Sequence, residues 1–323
     1  MKTVVLGAGA LGSILAAHLA RAGEDVSLIA RGARAKLLAE KGVSVRGLSE
    51  FTVKLPIVER PEELEACDVF VMTAKTYDTE AALAGVRNLK ADMAISVQNG
   101  VVKNEHLSAA FGAAHTAGCI ANFSGEVGED GVVLFTRNEG LYFGELPEGT
   151  SSRTEEFARV LNEAGIKAIA SDRIQSVEWS KYATWMGLTA VAVLSRLYTH
   201  LVYQDEGLDL LQTEVTRETV ELAKACGVGV MDLGGLIFPK TMSESPAEEC
   251  VAVLKKAGAA MEAGGTTTHR MSALQDLLRG RQLEIEETYG YAVAKASELG
   301  VAVPRLETCY RLLAAINRAE ASA

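Results

Sequence analysis

The apolar positions of the chain fall into two regimes. Up to residue 172 they come as short runs separated by helical stretches, and beyond it they recur at helical spacing almost without a break. In the first regime, strands are predicted at 2–6, 26–30, 68–73 and 93–97, with helices at 13–20, 33–41 and 79–89 and a short acidic helix at 61–66. Gly42 closes the second helix, and the alternating stretches 43–46 and 51–55 read as two edge strands around a Gly-Leu-Ser-Glu turn. Strand-like runs at 117–123 and 131–144 follow, and a helix and strand within 155–170 end the half. The second regime predicts helices at 177–197, 207–226, 247–257, 269–278, 284–299 and 306–321, with almost nothing that reads as strand. The expected fold is therefore α/β: a Rossmann dinucleotide-binding domain over 1–172, followed by an all-helical domain over 173–323.

The junction of the first strand and helix carries the first chemistry. Gly7-Ala8-Gly9-Ala10-Leu11-Gly12 follows a strand and opens a helix, the context in which a GxGxxG motif binds a dinucleotide. Gly7 serves the tight turn, Gly9 the close approach of backbone to pyrophosphate, and Gly12 the packing of helix on strand. The pyrophosphate then meets the unpaired N–H groups of the helix N-terminus. At the end of the second strand stands Arg31, where an NAD site keeps an acid for the ribose 2′-hydroxyl and a 2′-phosphate asks for arginine. NADPH is thus the expected cofactor; Arg31 as a solvated loop residue would leave the choice open. Lys75 and Asn99 follow the strands at 68–73 and 93–97, at the carboxyl ends where such sheets bind ligands.

Composition narrows the classes. A net charge of −10 argues against nucleic acid or an anionic membrane as partner, so an anion must bind in a local basic pocket. The five cysteines are scattered and form no metal spacing with the five histidines, so no metal site is expected. No apolar run reaches membrane-spanning length, and Met1 runs straight into the first strand, so a soluble cytoplasmic protein without leader is expected.

Taken together, GAGALG, Arg31, Lys75, Gln98-Asn99-Gly100, Trp179-Ser180-Lys181 at the start of a long helix, and Ser272-Ala-Leu-Gln-Asp before Glu284 resemble the ketopantoate reductases (2-dehydropantoate 2-reductases), over essentially the whole chain. The resemblance implies NADPH-dependent reduction of 2-dehydropantoate to (R)-pantoate, a step of pantothenate and coenzyme A biosynthesis. It makes Lys181 the general acid that protonates the oxygen receiving hydride, and Glu284 a second catalytic residue contacting substrate or cofactor hydroxyls. Ser272 matches the family's substrate-binding serine, and Asn99 its asparagine at the nicotinamide. A homodimer is compatible with this reading.

There is one departure. The family's lysine helix usually carries asparagine four and eight residues after the lysine, where this chain has Trp185 and Thr189. Positions i, i+4 and i+8 share a helix face, so Lys181, Trp185 and Thr189 are expected to line one substrate-facing stripe. Tryptophan is bulkier than an amide and accepts no hydrogen bond. Two alternatives therefore stand beside ketopantoate: a reductase of another branched or aromatic 2-oxo acid, and a non-catalytic dinucleotide-binding sensor. The joint presence of Lys181, Asn99, Ser272 and Glu284 favours an enzyme over a sensor.

Overall fold

The computed structural model of the chain describes residues 1–320. The chain divides into two compact units, Met1–Gln175 and Ser176–Ala323.

In the first unit, strands β1 (Lys2–Leu6), β2 (Asp25–Ile29), β5 (Ile57–Val58), β6 (Ala66–Met72) and β7 (Lys90–Ser96) form a parallel sheet. Its order β5-β2-β1-β6-β7 is that of a Rossmann sheet. β1 is an unbroken apolar run because both faces of a parallel sheet are covered. Val5 enters the core shared with helix α1 (Ala10–Arg21), while Val4 and Leu6 enter a second core with Phe70, Met72 and Leu107. Helices α2 (Gly32–Lys41), α3 (Thr79–Gly85) and α4 (Lys103–Phe111) complete this layer.

A second, mixed sheet was not foreseen. It contains β3 (Val43–Gly47), β4 (Phe51–Val53), β8 (Ala117–Val127), β9 (Val133–Glu145) and β10 (Ala168–Ala170), with α5 (Ser152–Glu163) before the last strand. α1 packs against β1 and β2 on one side and against β3, β4, β8 and β9 on the other. That position explains why every residue from Gly12 to Leu19 is buried, polar Ser13 and His18 included. Each Leu or Ile fully buried there contributes about 1.5–3 kcal/mol. His18 Nδ1 donates to Ala164 O at 2.9 Å, and burial lowers the imidazole pKa from its ordinary value.

The second unit is helical. Its elements are α6 (Ile174–Ser195, which begins just before the division), α7 (Thr199–Val202), α8 (Glu206–Ala225), α9 (Pro239–Glu244), α10 (Ala247–Ala263), α11 (Ser272–Leu278), a π-turn (Glu286–Gly290), α12 (Tyr291–Leu299) and α13 (Pro304–Glu320). Pro304 opens α13, and the Glu218 carboxylate accepts from the N–H groups of Arg305 and Leu306 at 3.1 and 2.8 Å. That satisfies orphan donors and places negative charge at the positive end of the helix. No helix among the described residues is long and apolar enough to cross a membrane.

Several boundaries differ from the sequence reading, each for a tertiary reason. β3 is interior, not an edge, because Val45 pairs with Val133 of β9 as well as with Phe51 of β4. The acidic helix at 61–66 shrinks to one 3₁₀ turn, Pro61–Glu63, since Ala66 is drawn into register with Lys90. The helix at 79–89 stops at Gly85, where Val86 N–H turns back to Leu83 O. The helix at 269–278 starts only at Ser272, and that at 284–299 opens with the π-turn. Helices α4, α7 and α9 were not anticipated.

Candidate active site

The glycine turn is built by exclusion of side chains at two positions and openness at a third. A Cβ on Gly12 would lie 2.0 Å from Gly7 O, and one on Gly7, whose φ is +114°, would lie 2.8 Å from Ala74 N and from Thr73 Oγ1. A Cβ on Gly9 would meet nothing within 4 Å. Backbone is therefore packed tightly beneath the turn and accessible above it, as a pyrophosphate requires. Gly9 is the N-cap of α1, no acid occupies the first turn, and the N–H groups of Ala10, Leu11 and Gly12 lack intrahelical acceptors. These residues fit a dinucleotide.

Side chains brace the turn from below. Thr73 Oγ1 donates to Leu6 O and Gly7 O at 3.0 and 2.7 Å. Ser13 Oγ donates to Ala8 O at 3.2 Å. Arg34 donates to Ala8 O at 3.1 Å, to Gly131 O at 2.7 Å and to Ser13 Oγ at 3.3 Å. Burial lowers its pKa from the ordinary arginine value. Arg31, by contrast, is exposed, at the N-cap of α2. Its Nη2 would lie 3.7 Å from a Cβ on Gly85.

Lys75 and Asn99 are half-buried at the carboxyl ends of β6 and β7. Buried Gln98 ties the two ends together: its Nε2 donates to Ala74 O at 3.0 Å and to Thr79 Oγ1 at 2.9 Å, while its Oε1 accepts from Ser96 Oγ at 2.9 Å. Lys103, 2% exposed, donates its ammonium to Gln98 O at 3.1 Å and to Cys119 O. Sequence reasoning missed Ser13, Arg34, Thr73 and Lys103. In the sequence Gln98 stands out only as part of the Gln-Asn-Gly run.

In the helical unit, α6 is buried from Ser176 to Val193 except at Lys181, which is half-buried. Ser180 fixes the turn by accepting from Met231 N–H at 2.8 Å while donating to Ser176 O at 2.6 Å. Two phenols tie α6 to the π-turn that follows Glu284. Tyr182 Oη donates to Thr288 O at 2.8 Å, and Tyr289 Oη donates to Met186 O. Glu284 is 9% exposed, and Thr288 Oγ1 donates to its carbonyl. Lys181 and Glu284 thus belong to two segments bolted together within one unit. Trp185 is 8% exposed, with its ring centroid 6.1 Å from that of Tyr289. Thr189 is fully buried and its hydroxyl has no protein partner. Ser272 is the first residue of α11 and is exposed, next to buried Ala273 and Leu274.

The family model described as Ketopantoate reductase PanE/ApbA matches residues 3–148, and that described as its C terminal matches residues 173–317. The chain belongs to the ketopantoate reductase family. It is accordingly an oxidoreductase of that family, with the Rossmann and helical halves on which the family is built. The 2-dehydropantoate 2-reductase of Pyrococcus abyssi is 29% identical over 309 residues, covering 94% of each chain. A ketopantoate reductase from Ralstonia eutropha has the same fold, with a TM-score of 0.83 and 23% identity over 99% of both chains. So has a D-mandelate dehydrogenase solved with NADH and anilino(oxo)acetate, with a TM-score of 0.85 and 19% identity over 99% of both chains.

Proposed function

We propose that the chain reduces 2-dehydropantoate to pantoate with NADPH, using residues 1–172 to hold the cofactor and 173–323 to hold the substrate. The N-terminus of α1, with Gly7, Ala8, Gly9, Ala10, Leu11 and Gly12, binds the pyrophosphate, and Arg31 binds the 2′-phosphate. Lys75 and Asn99 hold the nicotinamide end. Bound there, the dihydronicotinamide supplies a hydride to C2 of the 2-oxo acid. Lys181 donates the proton that the C2 oxygen takes up, so hydride and proton together convert the carbonyl to a hydroxyl. An ammonium suits the task because it stabilises the developing alkoxide before it transfers its proton. Glu284 and Ser272 orient the substrate.

The observation that carries this reading is the pair of phenol bonds joining the Lys181 helix to the Glu284 segment, in a chain whose two halves both match the family. Incubation with NADPH deuterated at the transferred position tests it: pantoate one mass unit heavier supports the reading, and unlabelled product or none refutes it. A second reading, an aromatic or branched 2-oxo acid as substrate, is favoured by Trp185 and Thr189 standing where the family keeps two amides.

A further inference from the structure

The glycine loop is held by a side chain that no motif marks. Arg34 reaches up from α2 and makes three hydrogen bonds, to Ala8 O, Ser13 Oγ and Gly131 O. Ser13 lies beneath the same peptide and donates to Ala8 O in turn, so its lone pair is left to accept from Arg34. The three groups close a triangle around one carbonyl. The third bond anchors the guanidinium to the β8–β9 turn, where Gly131 has φ +80° and a Cβ would lie 2.3 Å from Leu37 Cδ2. A side chain at this position would have to adopt that left-handed conformation and displace Leu37.

A peptide unit is planar and trans, so its C=O and N–H point in opposite directions. The carbonyl of Ala8 and the N–H of Gly9 belong to one unit. Holding the Ala8 oxygen on Arg34 and Ser13 therefore turns the Gly9 N–H away from those two side chains, and the Cα beside it is open, since a Cβ there would meet nothing within 4 Å. The bond to a guanidinium is charge-assisted, and it polarises the peptide so that its N–H becomes a better donor.

We propose that Arg34 is a positioning residue for the cofactor: with Ser13 it aims the Gly9 N–H at the pyrophosphate, and so strengthens binding of NADPH and NADH alike. This rests on the dinucleotide reading above. Its role is separate from that of Arg31, which acts only on the 2′-phosphate.

The test compares Arg34→Met, which keeps length without the donors, Arg34→Lys, and Ser13→Ala. Dissociation constants for NADPH and for NADH are measured by fluorescence titration beside melting temperature, and turnover is split into KM for cofactor and kcat. Arg34→Met is expected to weaken both dinucleotides by a similar factor, about tenfold or more, chiefly in KM. Arg34→Lys recovers part of the loss through the single bond to Ala8 O, and Ser13→Ala gives a smaller loss of the same kind. Unchanged affinities in Arg34→Met with a lowered melting temperature would make Arg34 purely structural and overturn the inference. A loss confined to NADPH would overturn it too, since the 2′-phosphate would then be the contact. Should Arg34→Met not fold, equal affinities in wild type, Arg34→Lys and Ser13→Ala would count against it. Failure of the wild-type protein to bind either dinucleotide would instead refute the cofactor reading itself.

Discussion

Tyr182 donates its phenol to the carbonyl of Thr288 at 2.8 Å, across 106 residues of chain. The residue before it is Lys181, and the turn it grips follows Glu284. Tyr182→Phe removes this buried bond while leaving the ring in place. Stability is expected to fall by about 0.5–1.5 kcal/mol in denaturant titration, because Thr288 O still accepts from Tyr291 N–H. Turnover is expected to fall with it, as Lys181, the proposed general acid, and Glu284 sit on the two segments that this bond joins. A variant as stable and active as wild type would show that the bond does not hold the two segments in place.

Arg31→Ala probes cofactor choice. Removal of a charged hydrogen-bond partner should weaken NADPH binding by about 1.5–3 kcal/mol and leave NADH nearly untouched. Equal losses for both cofactors would contradict the role given to Arg31. The contrast with Arg34→Met, where both cofactors should suffer, separates recognition of the 2′-phosphate from orientation of the loop.

Lys181→Ala probes proton transfer. A positioned acid contributes about 10²–10⁴-fold to turnover, so kcat should drop by that factor with NADPH affinity preserved. Near-normal kcat in the variant would assign the proton to another group.

Asp209 predicts a pH dependence of stability. It is fully buried on α8, neither carboxylate oxygen has a protein partner, and burial raises its pKa to about 7 from 3.8. Asp205 and Glu206 push in the same direction, and Lys255 opposes them. The folded state therefore keeps a proton that the unfolded state releases between pH 3.8 and about 7. Over that window the unfolded chain binds fewer protons, so stability contributed by this group is full below the unfolded pKa and is lost as pH rises toward 7. At about 1.4 kcal/mol per unit the loss is at most a few kcal/mol. Asp209→Asn should remove this group's share of the slope and make the protein more stable than wild type at pH 8, read by denaturant titration at pH 5 and pH 8. Parallel pH profiles for the two proteins would contradict this.

The sequence reveals the parts of the fold that are local. The glycine turn, the strand before it and α1 are legible because strand, turn and helix are adjacent, and α6 is legible from its period. The second sheet is not, because β3 becomes interior only by pairing with Val133, nearly ninety positions away. Arg34 is equally invisible: its acceptors lie 26, 97 and 21 residues distant, and no spacing encodes that. The same holds for Gln98, whose partners Ala74 and Thr79 lie just after β6 and at the start of α3. The stripe of Lys181, Trp185 and Thr189 shows a different limit. Shared periodicity argues for one functional face, but a helix buried all round presents several, and Trp185 packs beside Tyr289. Periodicity alone does not say which face meets a ligand.

The most direct measurement is the rate of NADPH oxidation by the wild-type protein across a panel of 2-oxo acids: ketopantoate, 2-oxoisovalerate, which lacks its hydroxymethyl group, phenylpyruvate and benzoylformate. The account predicts turnover of the panel with ketopantoate giving the highest kcat/KM, and slower turnover when NADH replaces NADPH. Highest kcat/KM for phenylpyruvate or benzoylformate would keep the reductase chemistry and transfer the substrate to the aromatic class. No NADPH oxidation with any of the four acids would contradict the account.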